Sequence, residues 1–588
     1  MNLPCYLRSL TKAYLLLIVG GQSAIAQVPS SLPSTVPDPV EQTLPGNEST
    51  PTFQAPVLQE STPILIPEDI TPQEDAKPEI STSEETIFAI RQIEVLGSTV
   101  LQEEINGLVN TFFGIDPDTH PPAIEQEPRQ TTLTELLNLR SQITNLYIEE
   151  GYITSGAFLP NNQTLPNGNV YIQVVEGTLE ELQINGLHYL KDYYVRDRIN
   201  LAIGSPLNVN KLEEGLQLLQ IDPLIGSVNS ELTAGSGPGK NILVLDLTEA
   251  DPFFLNLAFN NSRSPSIGTV QGSPTLTHQN VFGFGDRLSA RYDATEGLEL
   301  YNVSYTVPFN AIDGTFSVSY DEGESRIVDD QFQDAGIRSE TETLSFNLRQ
   351  PLTRSLSSEI ALGLGFDLRE SRSFILENEP FSFSLGPEDG VSKVSVLRFS
   401  QEWLNRDIDT VLALRSQFNI GLDAFDATVN DTGTDGRFVS WIGQFQWVQQ
   451  LSPSTLLLAR LNAQLTPDSL LPLERFSLGG VSTVRGYAQN EVVTDNAITS
   501  SVEVRLPLSA KPNELMLTPF IDFGTGWNNR SPDPENATLL GIGTGIQWQP
   551  IPEFNLRLDY GIPLIFTDSD GSSLQEDGFY FSVNLQPF

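Results

Sequence analysis

From Asp251 to Phe588 apolar and polar residues alternate with a period of two. Tyr301, Val303, Tyr305 and Val307 alternate with Asn302, Ser304 and Thr306, and Ile360, Leu362, Leu364, Phe366 and Leu368 with Glu359, Ala361, Gly363, Gly365, Asp367 and Arg369. The same beat runs through Leu412 to Asp423 and Phe554 to Ile562. Successive side chains of a strand point to opposite faces, so each segment has one apolar, charge-free face and one polar, often charged face. Segments of about ten residues or more have the length that a tilted strand needs to cross a bilayer. Arg, Asp and Glu on the second face suit a wet lumen and not the dry core of a sandwich. The pattern predicts an all-β, sixteen-stranded transmembrane β-barrel over residues 251–588. Its last strand ends at the terminal aromatic Phe588, one residue out of phase with Phe579, Phe581, Val583 and Leu585.

Upstream the period changes. Phe88–Leu96 reads as a strand, Leu101–Phe113 as a helix, and Thr132–Glu150 as a second helix. Thr132 and Glu135 frame the latter as a capping box and Gly151 stops it. Thr154–Leu159 and Val170–Val175 close the unit as strands. The order repeats with a strand at Leu179–Leu187, a helix at Tyr193–Ala202, a helix capped by Asn210, and strands at Ile225–Leu232 and Asn241–Leu247. Two small α/β modules of order β-α-α-β-β, residues 87–177 and 178–250, are therefore expected. With Gly151-Tyr152 and Val174-Val175-Glu176-Gly177 they resemble a pair of POTRA domains, the first of the type found in haemolysin-secretion transporters.

Residues 1–26 read as a secretory signal peptide. Arg8 and Lys12 precede the apolar run Ala13–Val19, and Ala24-Ile25-Ala26 is a small-residue cleavage site. Residues 27–86 read as an acidic, proline-rich linker, extended and unpacked, because proline deletes backbone donors and like charges repel.

Composition narrows the function. The chain carries 32 Lys+Arg against 75 Asp+Glu, a formal charge of −43, which disfavours nucleic-acid partners. Its single cysteine, Cys5, lies in the signal peptide, so neither disulfides nor a thiolate metal site is expected. His120, His188 and His278 are scattered, with no catalytic pattern around them; the chain reads as a non-enzyme without metal or cofactor. Gly235 to Asn241 misses the phosphate-loop spacing, having Ala234 and Asn241 at the positions that need Gly and Ser/Thr, and reads as a hairpin turn. No nucleotide is expected.

One long segment, Thr466–Asn496, interrupts the strand pattern between the eleventh and twelfth strands. It contains Arg475-Phe476-Ser477-Leu478-Gly479-Gly480 and Val484-Arg485-Gly486-Tyr487. The latter resembles the hallmark of the outer-membrane polypeptide-transporting barrels. That resemblance implies a loop folded into the lumen, with Arg485 paired to Asp522 in the wall segment Phe520-Ile521-Asp522-Phe523-Gly524. The run holding Asn280, Gly283, Gly285 and Asp286 near the barrel's start is also similar to the family. Together with the POTRA-like pair, these features are similar to the outer-membrane transporters of two-partner secretion, the haemolysin secretion/activation family. The resemblance implies a cell-outer-membrane protein with a periplasmic POTRA pair that takes an unfolded exoprotein client. Outer-membrane lipid would surround it, and the barrel-assembly machinery would insert it. A barrel-assembly factor of the same superfamily is the alternative, though such factors usually carry three or more POTRA domains; a passive porin ranks third.

Overall fold

A computed structural model describes residues 37–44, 87–116, 128–161, 163, 168–511, 513–567 and 573–587. The signal peptide, the rest of the linker and Phe588 lie outside the described residues.

The first module runs β1 (Ile87–Ile90), β2 (Gln92–Leu96), α2 (Gln102–Phe112), β3 (Arg129–Thr132), α3 (Leu133–Glu149), β4 (Gly156–Phe158) and β5 (Asn169–Val175), with α1 lying upstream at Pro39–Gln42. The expected strand Phe88–Leu96 is broken at Arg91, whose amide bonds to the Gly168 carbonyl. Its first half leaves the sheet to pair with β3, a strand the helical reading of this region did not contain. The sheet order is β2-β5-β4. Ile143, Tyr147 and Ile172 are fully buried between it and the helices. Thr132 caps α3, accepting from the Glu135 amide at 3.3 Å.

The second module runs β6 (Thr178–Asn185), α4 (Asp192–Ala202), α5 (Val209–Gln220), β7 (Ile225–Ala234) and β8 (Lys240–Glu249), with sheet order β6-β8-β7. The cap of α5 is Asn208 and not Asn210. Its Oδ1 accepts from the Lys211 amide at 3.3 Å, while its Nδ2 donates to the Glu150 carbonyl of the first module at 2.8 Å. This second bond, which local spacing cannot register, moves the helix start two residues upstream. Gly235 to Asn241 is the β7–β8 hairpin.

A closed sixteen-strand antiparallel barrel follows. Its strands are β9 (Phe253–Asn260), β10 (Gln271–Gln279), β11 (Arg287–Ala294), β12 (Leu298–Pro308), β13 (Thr315–Arg326), β14 (Arg338–Arg354), β15 (Ser358–Ile375), β17 (Val391–Arg406), β18 (Thr410–Leu422), β19 (Val439–Ser452), β20 (Thr455–Leu465), β23 (Asn496–Pro507), β25 (Phe520–Trp527), β26 (Thr538–Ile551), β27 (Phe554–Pro563) and β28 (Phe579–Leu585). Two short pieces, β16 (Glu379–Pro380) and β24 (Leu515–Leu517), extend the wall, and β28 pairs with β9 to close it. Tyr301, Val303, Leu364, Phe399, Ile521 and Leu558 point outward and are exposed, as a lipid-facing surface requires. Closure leaves no unpaired edge within the bilayer.

Two corrections concern segments in which no helix or strand was expected. Part of the acidic linker is ordered: Asp38 caps α1, Pro39 occupies its first turn, and Val40 and Leu44 are buried. This turn lies against β14, β15 and the lumen loop. Local start signals, Asp-Pro followed by apolar residues at i and i+4, outweigh the average composition there. The lumen loop has structure of its own as well, since β21 (Phe476–Leu478) pairs with β22 (Val492–Thr494).

Candidate functional site

Between β20 and β23 the chain turns back into the barrel, and its tip meets the wall made by β23, β25, β26 and β27. Val484, Arg485 and Tyr487 are buried at 0%, 4% and 2% exposure. Arg485 reaches Asp522 through two parallel bonds, Nε to Oδ2 at 2.7 Å and Nη2 to Oδ1 at 3.0 Å. Its own amide adds a third bond to Asp522 at 3.1 Å. The Phe520 ring lies 3.4 Å beneath the guanidinium carbon, a cation–π stack that an ammonium could not reproduce with the same planar fork. The two-bond fork fixes orientation as well as charge.

Sequence reasoning did not find the rest of this cluster. Arg485 Nη1 donates to Glu503 at 2.8 Å and to Asp559 at 3.3 Å. Arg557 donates to the same two carboxylates, at 2.7 Å to Glu503 and 2.6 Å to Asp559. Arg505 closes the set on Glu503 at 3.1 Å. Three guanidinium groups thus interleave with three carboxylates. A buried charge without such company would be strongly destabilising. These residues carry no local mark in the sequence beyond lying on polar faces of their strands.

The neighbouring residues give the motif its shape. Gly486 has φ +103°, and a Cβ there would meet the backbone of Ile562 and Pro563 at 3.1 and 3.0 Å, so only glycine fits. Its amide donates to the Tyr580 hydroxyl at 2.9 Å, which donates on to the Tyr487 carbonyl at 2.6 Å. The Tyr487 hydroxyl accepts from the amides of Leu540 and Ile565 at 3.1 and 3.2 Å. On the wall side, Gly541 lies against the Arg485 carbonyl and Gly524 against Val484. The wall is bare where the loop presses on it.

The loop's base is tied to the other side of the barrel. Glu474 is 8% exposed and accepts from Arg369 at 2.6 Å and from Arg398 at 3.0 and 3.2 Å, on β15 and β17. The next residue, Arg475, pairs with Glu41 of α1 at 2.5 Å and with Asp495 at 3.5 Å. Asn490 holds the α1 carbonyls of Glu41 and Gln42, each at 3.0 Å.

Asn280, Gly283, Gly285 and Asp286 are not part of this cluster. They form the β10–β11 turn, which faces the second α/β module. Asp286 is fully buried and accepts from the Phe282 amide and the Tyr305 hydroxyl, both at 3.0 Å. The Gly283 carbonyl accepts from the Lys191 amide at 2.9 Å, and a Cβ on Gly285 would overlap the Tyr194 ring. This turn docks the module onto the barrel. Among the described residues no cluster of His, Cys, Asp and Glu has metal-ligating geometry.

Comparisons with known proteins agree with this architecture. Residues 88–177 match the POTRA domain of ShlB type. Residues 239–548 match the haemolysin secretion/activation protein family ShlB/FhaC/HecB. The outer membrane transporter CdiB of Dickeya dadantii (strain 3937) is 23% identical over 436 residues, which is 71% of this chain and 75% of that protein. CdiB of Escherichia coli O6:K15:H31 is 25% identical over 533 residues, 88% of this chain and 84% of that protein. The solved structure of CdiB from Escherichia coli superposes with a TM-score of 0.64 at 21% identity, covering 87% of this chain and 93% of that one. The chain belongs to the haemolysin secretion/activation (ShlB/FhaC/HecB) family and is an outer-membrane transporter of two-partner secretion.

Proposed function

We propose that the POTRA pair captures an unfolded exoprotein in the periplasm, and that the client crosses the outer membrane through the barrel when the lumen loop releases the wall. The single observation that carries this reading is the bidentate Arg485–Asp522 pair, which fastens a loop across the lumen at one point. The edge strands β4 and β7 each pair on one side only and suit strand addition by an extended client. Folding of the client outside supplies the drive, because it removes the unfolded state on that side. No nucleotide or other cofactor takes part. Outer-membrane lipid contacts the apolar outer face, and the barrel-assembly machinery inserts the chain.

Arg485→Ala tests the reading. The variant should still assemble as a heat-modifiable barrel while its cells release less client into the medium, measured by mass spectrometry of the supernatant. Undiminished release would show that the pair is not the fastening.

A further inference from the structure

A second polar constellation lies low on the lumen wall, away from the Arg485 cluster. On β18, β19 and β20, Arg415 stands opposite Gln444, and Gln444 opposite Asn462. Gln446 lies two residues further along the same face. Three of their donors, Arg415 Nε, Gln444 Nε2 and Gln446 Nε2, have no acceptor among the described residues, and the acceptor Asn462 Oδ1 has no donor. Gln444 and Gln446 are 5% and 2% exposed. Arg415 Nε keeps a 3.8 Å ion pair to Glu402 without a hydrogen bond, and buried polar groups are ordinarily hydrogen-bonded, so four such atoms in one patch call for an occupant.

The patch borders a cavity of about 320 Å³ that Arg349, Glu359, Glu402 and Arg406 also line. Arg349 bonds to Glu402 at 2.8 Å and also to Glu359, and Arg415 stands 3.8 Å from Glu402, so these two arginines balance the two acids. Arg406 forms no ion pair among the described residues, so the cavity carries an excess of donors and positive charge. Arg349 and Glu359 also line a second cavity, of about 330 Å³, whose other wall is Tyr194, Asp222, Pro223 and Leu224 of the second POTRA module. The two cavities thus share Arg349 and Glu359 as a common wall, the second bordered by that module and the first by the patch. Beside the patch, Leu404, Val411, Val448 and Leu458 form an apolar cluster.

We propose that this stretch of wall, from Arg349 to Asn462, is the intake station at which an extended polypeptide leaving the second POTRA module first hydrogen-bonds to the barrel. A main chain brings both missing partners: carbonyl oxygens for the three donors, and N–H groups for Asn462. Client carboxylates would present the same acceptor oxygens. The apolar cluster takes the alternate side chains of an extended segment. This station rests on the proposed passage of the client through the lumen.

Disulfide trapping tests it. Cys5 is the sole cysteine of the full chain, so Gln446→Cys introduces a unique thiol downstream of the signal peptide. Gln446→Cys protein carrying Cys5→Ser, in liposomes, is offered two extended peptides that each bear one cysteine activated as a mixed pyridyl disulfide, whose thiopyridone leaves on exchange, one peptide rich in Ser and Gly and one rich in Glu. Phe399→Cys on the lipid face and Asn302→Cys on the lumen face of β12 serve as controls, and heat-modifiable migration verifies folding. We expect trapping at 446 about tenfold above both controls, and a severalfold loss when Gln444→Leu is added. Trapping of both peptides assigns the acceptors to the main chain; trapping of the Glu-rich peptide alone assigns them to carboxylates. Equal trapping at 446 and 302, or no effect of Gln444→Leu, overturns the station while leaving lumen passage intact. Absence of trapping at both lumen positions overturns the passage itself.

Discussion

At the scale of single residues, the loop tip is held by complementary shape as much as by charge. A Cβ on Gly541 would lie 2.0 Å from the Arg485 carbonyl oxygen. Gly541→Ala should therefore push the tip off the wall at a cost of about 1–3 kcal/mol without altering any charge. The expected result is faster proteolysis of the loop in a barrel that still migrates as folded; cleavage at the native rate would show that the wall can yield. Arg485 and Asp522 came into view through a resemblance, since nothing in their 37-residue separation links them. Glu503, Asp559 and Arg557 were invisible for a physical reason. A lumen-facing charge has the same local pattern whether it stands in water or in a buried network, and only closure of the barrel decides which. Glu474 sits one residue before a motif that had been singled out, yet its partners Arg369 and Arg398 lie on strands about a hundred and about eighty residues earlier.

At the scale of elements, period-two alternation made the barrel strands legible because each must satisfy lipid on one face and water on the other along its whole length. The α/β modules were legible in order but less so in boundaries, because tertiary bonds moved them. Asn208 replaced Asn210 as a cap by bonding to the first module, and β1 left its sheet to meet β3. The short α1 disappeared under the average composition around it. Glu176 shows how much one side chain organises at a module's edge. It accepts from the Thr99 and Val100 amides at 2.7 and 3.2 Å and from the Tyr147 hydroxyl at 2.9 Å. Burial pushes its carboxyl up, but the Thr99 hydroxyl and these other donors outweigh that and hold its pKa below the ordinary glutamate value. A depressed folded-state pKa means that its stabilisation is complete above the unfolded carboxylate value near ~4.3 and is lost as pH falls through the lower folded value. Hydrogen exchange at Thr99 and Val100 should show local opening rising as pH falls below about 4.3. Glu176→Gln should flatten that dependence; superimposable profiles would refute the assignment.

At the scale of the whole molecule, the acidic balance that disfavoured nucleic acid is compatible with a lumen where arginine is prominent, because barrel closure places polar faces of both signs together. The loop spans that lumen, held at its base by β15 and β17 and at its tip by β23, β25 and β27. The α1 turn fills the space beside it. Deleting Asp38–Leu44 should raise the conductance of the barrel in planar bilayers while the Arg485 cluster stays formed; an unchanged conductance would mean that α1 obstructs nothing. Forty-two residues separate Leu44 from Ile87. At most about 3.3–3.6 Å per residue, that is a leash of up to roughly 150 Å. An α1 that leaves the lumen is thus never diluted into the periplasm. Its return is a first-order event, indifferent to how many copies of the transporter the membrane holds, and it competes with a client at a local concentration fixed by the length of its own leash.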